Sequence, residues 1–350
     1  MRRMFSPHAC LLLLACCAGC TRSEPRVVLY CAQDRDFAVP LLDDFHKITG
    51  LPVVPKYDTE KNKSVSLYEE LVAEKNRPRC DVFWNNEILS TIRLQKQGLL
   101  EPYDSPSAKP YPAAAKAADH TWHAFATRAR ILIVNTRLVP GKDRPRSLLD
   151  LTDARWRNRL VMAQPQYGTS ATQAVCLFQV LGSERAKKFY LDLKANGVQI
   201  APGNKQVAEW VGQGRTPAGQ EVAIGITDTD DAMEEVRDKH DVVIVYPDRD
   251  ASADSKLGTL FIPNTLAILK GAPNPEGARR LIDYLLSADV EKRLAEGESH
   301  QVPLNAEVKA KLPPQIEAPK SVRAMPVDFA KAADLWAEVE TFVRQEFAGP

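Results

Sequence analysis

Three carboxylates within four residues, Asp228, Asp230 and Asp231, follow an apolar run at 222–226. Such a cluster at a strand's end attracts a metal ion or an ammonium group, since opposite charges at close range attract strongly and carboxylates are hard oxygen donors. Helix capping accounts for one or two of them, because Asp serves as an N-cap and acidic residues suit a first helical turn. Earlier in the chain, Gly168-Thr169-Ser170 precedes an apolar helical pattern. The free N–H groups and positive dipole end at such a helix start favour an anion, and the hydroxyls of Thr169, Ser170 and Thr172 add donors. N-capping by Thr169 or Ser170 is an equally good account, and both can hold at once. Together the two clusters suit a zwitterion such as an aminophosphonate, or a metal with a bridging anion.

In open α/β sheets a ligand sits beyond the carboxyl ends of the strands. The predicted strand 27–30 presents Tyr30, Gln33 and Asp34 there. Strand 51–57 presents Tyr57, Asp58 and Glu60, and strand 81–84 presents Asn86 and Glu87. These join Gly168, Thr169, Ser170, Asp228 and Asp230 as candidate ligand-binding residues. A solvated turn explains 57–60 as well, and Asn85 or Asn86 also reads as a simple N-cap. Arg128 and Arg130 stand on a predicted strand, with one expected to face the cleft and the other solvent. His120 and His123 have a spacing open to metal binding, but beside Trp122 in a polar stretch they read as a loop.

No phosphate-binding, zinc-protease, nucleophile-elbow or C-x-x-C motif occurs in the chain after residue 20. Gly212-Gln213-Gly214 lacks the rest of a dinucleotide fingerprint, and Cys176 in an apolar helix reads as core. The sequence therefore points to binding without catalysis and to no cofactor. An anchored hydrolase or a ligand sensor are the alternatives.

The elements that must position these residues alternate. Strands at 27–30, 51–57 and 81–84 are separated by helices at 36–49 (Phe37, Leu41, Leu42, Phe45 and Ile48 on one face), 67–75 and 88–97. That spacing argues a parallel sheet covered on both faces. A second block runs from an extended 125–135 through strands 160–163, 222–226 and 242–246, with helices at 170–181, 186–196, 206–212 and 230–239. An extended 258–269, one helix at 278–295 and one at 330–347 complete the chain. With 350 residues the chain suits two domains, and the segments 125–135 and 258–269 can carry it between them. Lys plus Arg total 46 against 45 Asp plus Glu, so no charge excess draws the protein to nucleic acid.

The first residues read as an address. Arg2 and Arg3 precede an uncharged run at 9–19 that is too short to span a membrane but has the size of a signal-peptide core. Ala18-Gly19-Cys20 resembles a bacterial lipobox, with Cys17 in place of the usual aliphatic residue. The expectation is export, cleavage before Cys20 and lipidation of that cysteine, a membrane contact through the anchor alone. Cys31, Cys80 and Cys176 remain. If strands 27–30 and 81–84 are parallel neighbours, Cys31 and Cys80 lie at opposite ends, about 13 Å apart and beyond disulfide reach; buried free thiols are expected.

Val27-Val28-Leu29-Tyr30, Thr49-Gly50, Tyr57-Asp58-Thr59-Glu60, Arg77-Pro78-Arg79-Cys80-Asp81-Val82-Phe83-Trp84-Asn85-Asn86-Glu87, Ala129-Arg130-Ile131-Leu132-Ile133-Val134-Asn135-Thr136, Gly168-Thr169-Ser170-Ala171-Thr172 and Gly225-Ile226-Thr227-Asp228-Thr229-Asp230-Asp231-Ala232 occur in order. Over nearly all of 27–300 the chain resembles bacterial extracellular solute-binding proteins of the ferric-binding type. The resemblance implies an α/β, two-lobed periplasmic-binding-protein (Venus-flytrap, type 2) fold, two doubly wound sheets joined by a two-strand hinge. It implies a monomer that captures ferric iron or an iron–anion complex and hands it to the permease and ATPase of an ABC importer. The adjacent tyrosines that ligate iron in such proteins are absent, and Asp228-Thr229-Asp230-Asp231 stands in their place. Tyr57 and Asp231 are then the candidate metal ligands, and an aminophosphonate or phosphosugar is the alternative cargo. The expected organisation is a signal peptide at 1–19, a tether at 20–26, one lobe from 27–126 plus 264–310, and a second at 127–263. A C-terminal helical segment at 311–350 is assigned to neither lobe.

Overall fold

The computed structural model describes residues 25–58, 65–250, 255 and 257–347. The signal segment, Cys20 and Glu60 lie outside the described residues.

The chain opens with β1 (Val27–Cys31), α1 (Arg35–Thr49), β2 (Val53–Tyr57), α2 (Val65–Ala73), β3 (Val82–Asn85) and α3 (Leu89–Lys96). β1 lies between β2 and β3 and runs parallel to both. Leu41, Leu42 and Phe45 bury one face of α1. Ile48, on the same stripe by spacing, falls in the last turn and is 73% exposed, so the buried stripe ends at Phe45. The register sets Leu29 opposite Val82 and Cys31 opposite Trp84. That leaves Cys80 at the far end of the pair, and Cys31, Cys80 and Cys176 are buried free thiols.

After the short β4 (Leu100–Glu101) comes β5 (His123–Asn135), the strand on which the architecture turns. Its first half pairs antiparallel with β10 (Phe261–Leu269), from Leu266 opposite His123 to Phe261 opposite Ala129. Its second half pairs antiparallel with β8 (Ile224–Asp228) and β9 (Val242–Val245). Successive β5 side chains enter different cores: Leu132 and Val134 one, Ile131 and Ile133 the other. That is the signature of a sheet covered on both faces. β6 (Leu160–Ala163) joins β8 to β7 (Gln199–Ala201) in parallel. The order is β2-β1-β3-β10-β5-β8-β6-β7, a curled sheet that changes lobe along β5. The expected two-lobed α/β fold is what forms.

Helices α4 (Gly168–Leu181), α5 (Ser183–Ala195), α6 (Asn204–Gln213) and α7 (Thr229–Arg237) cover the second lobe. A Cβ at Gly225 would meet Val207 Cγ1 at 2.5 Å, so glycine lets α6 lie close on β8. β8 begins two residues later than 222–226, because the Val222 and Ala223 N–H groups turn to the Gly214 and Arg159 carbonyls. Asp228 thereby becomes a strand residue, directly opposite Arg130.

Two expected single helices are each divided. α8 (Pro275–Leu285) and α9 (Ala288–Glu296) break at Ser287, whose Oγ accepts from the Val290 N–H and starts the second helix. α10 (Phe329–Asp334) and α11 (Trp336–Phe347) close the described chain. α10 packs on α3 and on α4, and so touches elements from both sides of the β5 crossing.

Candidate ligand-binding site

At the carboxyl ends of β6 and β8, a narrow cleft of about 30 Å³ opens to solvent. The first turns of α4, α6 and α7 line it, as Gly168, Thr169 and Ser170, then Asn204, then Asp230 and Asp231. Asp34 ahead of α1 and Asn86 ahead of α3 contribute from the first lobe. Three helix N-termini of one lobe thus converge where anions are favoured, with carboxylates beside them. Gly168 holds φ at 53°, a left-handed value that glycine adopts without strain.

Asp228 organises this convergence. Its Oδ1 accepts from Arg130 Nη1 at 2.9 Å, and its Oδ2 accepts from the Thr169 hydroxyl and from Asn204 Nδ2 at 3.1 Å. Arg130 reaches onward to Gln173 Oε1 at 3.0 Å, Asn204 Oδ1 at 2.9 Å and Ser170 Oγ at 3.3 Å. One buried ion pair therefore ties β5 and β8 to the first turns of α4 and α6. Both oxygens of Asp228 are engaged by donors of the chain itself.

Arg128, two residues earlier, links different partners. Its Nε lies 3.2 Å from Asp230 Oδ2. Its Nη2 donates to Gln33 Oε1 at 3.0 Å and Asn264 Oδ1 at 3.2 Å. Burial alone pulls the Arg128 pKa down, but Asp230, Asp228, Asp34 and Asp231 outweigh it and hold the value above the ordinary one. The guanidinium therefore stays charged. The expectation of one arginine in solvent fails: residues two apart share a strand face, and both are 2% exposed.

Of the residues picked out by sequence, the cleft gathers Asp34, Asn86, Gly168, Thr169, Ser170, Asp228, Asp230 and Asp231. Gln33 touches it through Arg128. Glu87 faces inward as a cap: it accepts from the Leu89 and Ser90 N–H groups at 2.5 and 2.9 Å and from the Thr172 hydroxyl at 2.9 Å. Tyr30 and Tyr57 do not line the cleft. The Tyr30 hydroxyl donates to Glu74 at 3.1 Å, and the side chain borders a groove on the outer face of β1 and β2. The half-buried Tyr57 ring lies under the Arg35 guanidinium, 5.5 Å from its centre. Asp58 accepts from the Ser66 hydroxyl. His120 is 3.2 Å from Asp104, and the buried His123 donates from Nε2 to the Tyr103 carbonyl.

Asn204, Gln164 and Tyr167 also line the cleft. Asn204 carried no sequence signal beyond Pro202-Gly203, a turn that starts α6. Gln164 and Tyr167 sit on the strand end already recognised at 160–163.

Residues 90–332 match the family of bacterial extracellular solute-binding proteins. The chain belongs to that family. The major ferric iron-binding protein of Neisseria meningitidis is 26% identical over 302 residues, 85% of this chain and 86% of that one. A putative 2-aminoethylphosphonate-binding periplasmic protein of Salmonella typhi is 27% identical over 257 residues, 73% of this chain and 70% of that one. Iron-bound HitA from Pseudomonas aeruginosa superposes with a TM-score of 0.79 at 22% identity, over 91% of this chain and 99% of that one. AfuA from Actinobacillus pleuropneumoniae, with fructose-6-phosphate bound, gives 0.79 at 21%, over 94% and 100%. The family match makes this a solute-binding protein, the structural likenesses give it a two-lobed fold, and the cleft lies beyond strand carboxyl ends, where open α/β sheets take ligands.

Proposed function

We propose that this solute-binding protein is the ligand-capturing subunit of an ABC importer, exported and anchored through a lipid on Cys20. Its cargo is a small zwitterion of the aminophosphonate class. The observation that carries the reading is the mixed lining of one cleft: the N-termini of α4 and α6 for the phosphonate, and Asp34, Asp230 and Asp231 for the ammonium group. The 2-aminoethylphosphonate-binding name of the Salmonella relative supports the same class. Ligand that bridges Asp34 and Asn86 of one lobe and the helix ends of the other favours the closed arrangement, and no covalent step is needed.

A second reading has its own observation. Asp228, Asp230 and Asp231 offer oxygens within 4.8 Å of one another, a set that suits ferric iron with a bridging anion. The donors already on both Asp228 oxygens, and the placement of Tyr30 and Tyr57 away from the cleft, weigh against it. Calorimetric titration of the mature chain separates the two. Heat with 2-aminoethylphosphonate and none with ferric citrate plus phosphate supports the zwitterion; the reverse result replaces it with iron.

A further inference from the structure

The ligand cleft lies beyond the carboxyl end of β1, and a second concavity runs from the start of β1 along the sheet face that carries Val28, Tyr30, Val54 and Lys56. This groove of about 980 Å³ is bordered by Arg26, Lys56, Arg77 and Arg79, with Pro25 and Val54 between them. All four cationic residues are exposed. Val54, 43% exposed, is one of few large apolar residues in water. An adjoining depression shares Arg79 and adds Lys75 and Lys270. Three carboxylates temper the face. Glu70 pairs with Lys56, Glu74 lies 3.7 Å from Arg79, and buried Asp81 is occupied by the Val28 and Asn274 N–H groups. Cationic side chains still outnumber acidic ones there.

Where the chain enters this face decides what covers it. Pro25 and Arg26 border the groove, and Cys20 precedes Pro25 by five residues. Five residues reach at most about 17 Å even when fully extended. An acyl chain on Cys20 would hold Pro25 within that reach of the bilayer, a distance of the order of the ~10 Å over which charges act at 0.1 M salt. An anionic leaflet attracts basic side chains at that range, by about fivefold in affinity for each Lys or Arg.

We propose that the basic groove at the start of β1 seats the protein on the anionic phospholipid headgroups of the membrane that holds its anchor. The inference rests on acylation of Cys20.

The test uses the mature lipoprotein reconstituted into vesicles, either pure phosphatidylcholine or phosphatidylcholine with one part in three phosphatidylglycerol. Lysine acetylation is followed at Lys56, with exposed Lys188 of α5 as the internal control. Lys56 labelling slows at least about fivefold in the anionic vesicles alone, and molar salt restores it. Arg77→Glu with Arg79→Glu abolishes the slowing, while Arg77→Lys with Arg79→Lys retains it. Both variants stay anchored and keep ligand affinity, because the substituted side chains are exposed and remote from the cleft. Equal Lys56 labelling in both vesicles from a protein whose mass shows the acyl chains overturns the seat and leaves the anchor standing. A mass without acyl chains removes the anchor and the seat together.

Discussion

Arg128 Nε and Asp230 Oδ2 lie 3.2 Å apart, both side chains almost wholly removed from water, and they join the strand that crosses between lobes to the first turn of α7. The same guanidinium is held by Gln33, which follows β1 in the other lobe. A charge buried at such a junction is stable only while its partner is present, because desolvation is then uncompensated. Arg128→Met is therefore expected to destabilise the protein by about 3–5 kcal/mol, as the cost of stranding buried acidic groups. Chemical denaturation measures this, and adding Asp230→Leu should recover part of the loss. A cost under about 1 kcal/mol for Arg128→Met would show that the pair is open to water.

His123 sits at the start of β5, 2% exposed. Burial, chiefly, pulls its pKa below the ordinary 6.5. The folded protein then binds this proton less readily than the unfolded chain does. The stability contributed by the neutral ring is fully present above about pH 6.5 and is lost as pH falls through the lowered folded value. The melting temperature of the protein should fall between pH 7.5 and pH 5 more steeply than that of a His123→Gln variant. Parallel slopes for the two would exclude His123 as the source.

The C-terminal helices connect elements on both sides of the crossing. The Arg93 guanidinium of α3 lies 4.0 Å from the Tyr68 ring centre and 4.3 Å from that of Trp336. Nearby, Lys96 pairs with Asp334, both largely in solvent. Magnitudes separate the two contacts. Trp336→Ala removes a mostly buried aromatic and should cost about 3 kcal/mol or more, whereas Asp334→Ala should cost less than about 1 kcal/mol. Thermal unfolding of the two variants checks the ranking.

Periodicity was enough for the alternating strands and helices of the first lobe, and turn chemistry was enough for Gly168-Thr169-Ser170 and the Asp cluster. Both signals are local. What escaped them depends on residues far apart in sequence. Residues two apart share a strand face, so Arg128 and Arg130 belong together; that their face is buried depends on Asp230 and Asp228, which arrive from about a hundred positions away. Tyr30 stands near a strand's carboxyl end, yet its hydroxyl turns to Glu70 and Glu74 on α2. Asn204 offers no pattern until α6 is packed on β8. The division at Ser287 was legible in principle, since serine is a favoured N-cap and Asp289 and Glu291 suit a first helical turn, but the continuous apolar stripe from Leu281 to Leu294 masks it.

Three neighbouring carboxylates look equivalent in sequence, and the structure distinguishes them. Asp228 is 3% exposed and saturated by Arg130, Thr169 and Asn204, while Asp231 lies nearer the mouth of the cleft. Asp228→Asn leaves Arg130 buried without its counter-charge, so the cost falls on folding, about 3–5 kcal/mol by denaturation. Asp231→Asn removes a charge that faces the cleft from a less buried position. Its unfolding free energy should change less than that of Asp228→Asn, because the carboxylate is less buried. Its affinity for an aminophosphonate should fall several-fold and do so less at high salt, since the lost interaction is between charges near water. If Asp231→Asn instead unfolded the protein and Asp228→Asn spared it, the two roles would be exchanged, and the cationic end of the ligand would have to be sought at Asp228.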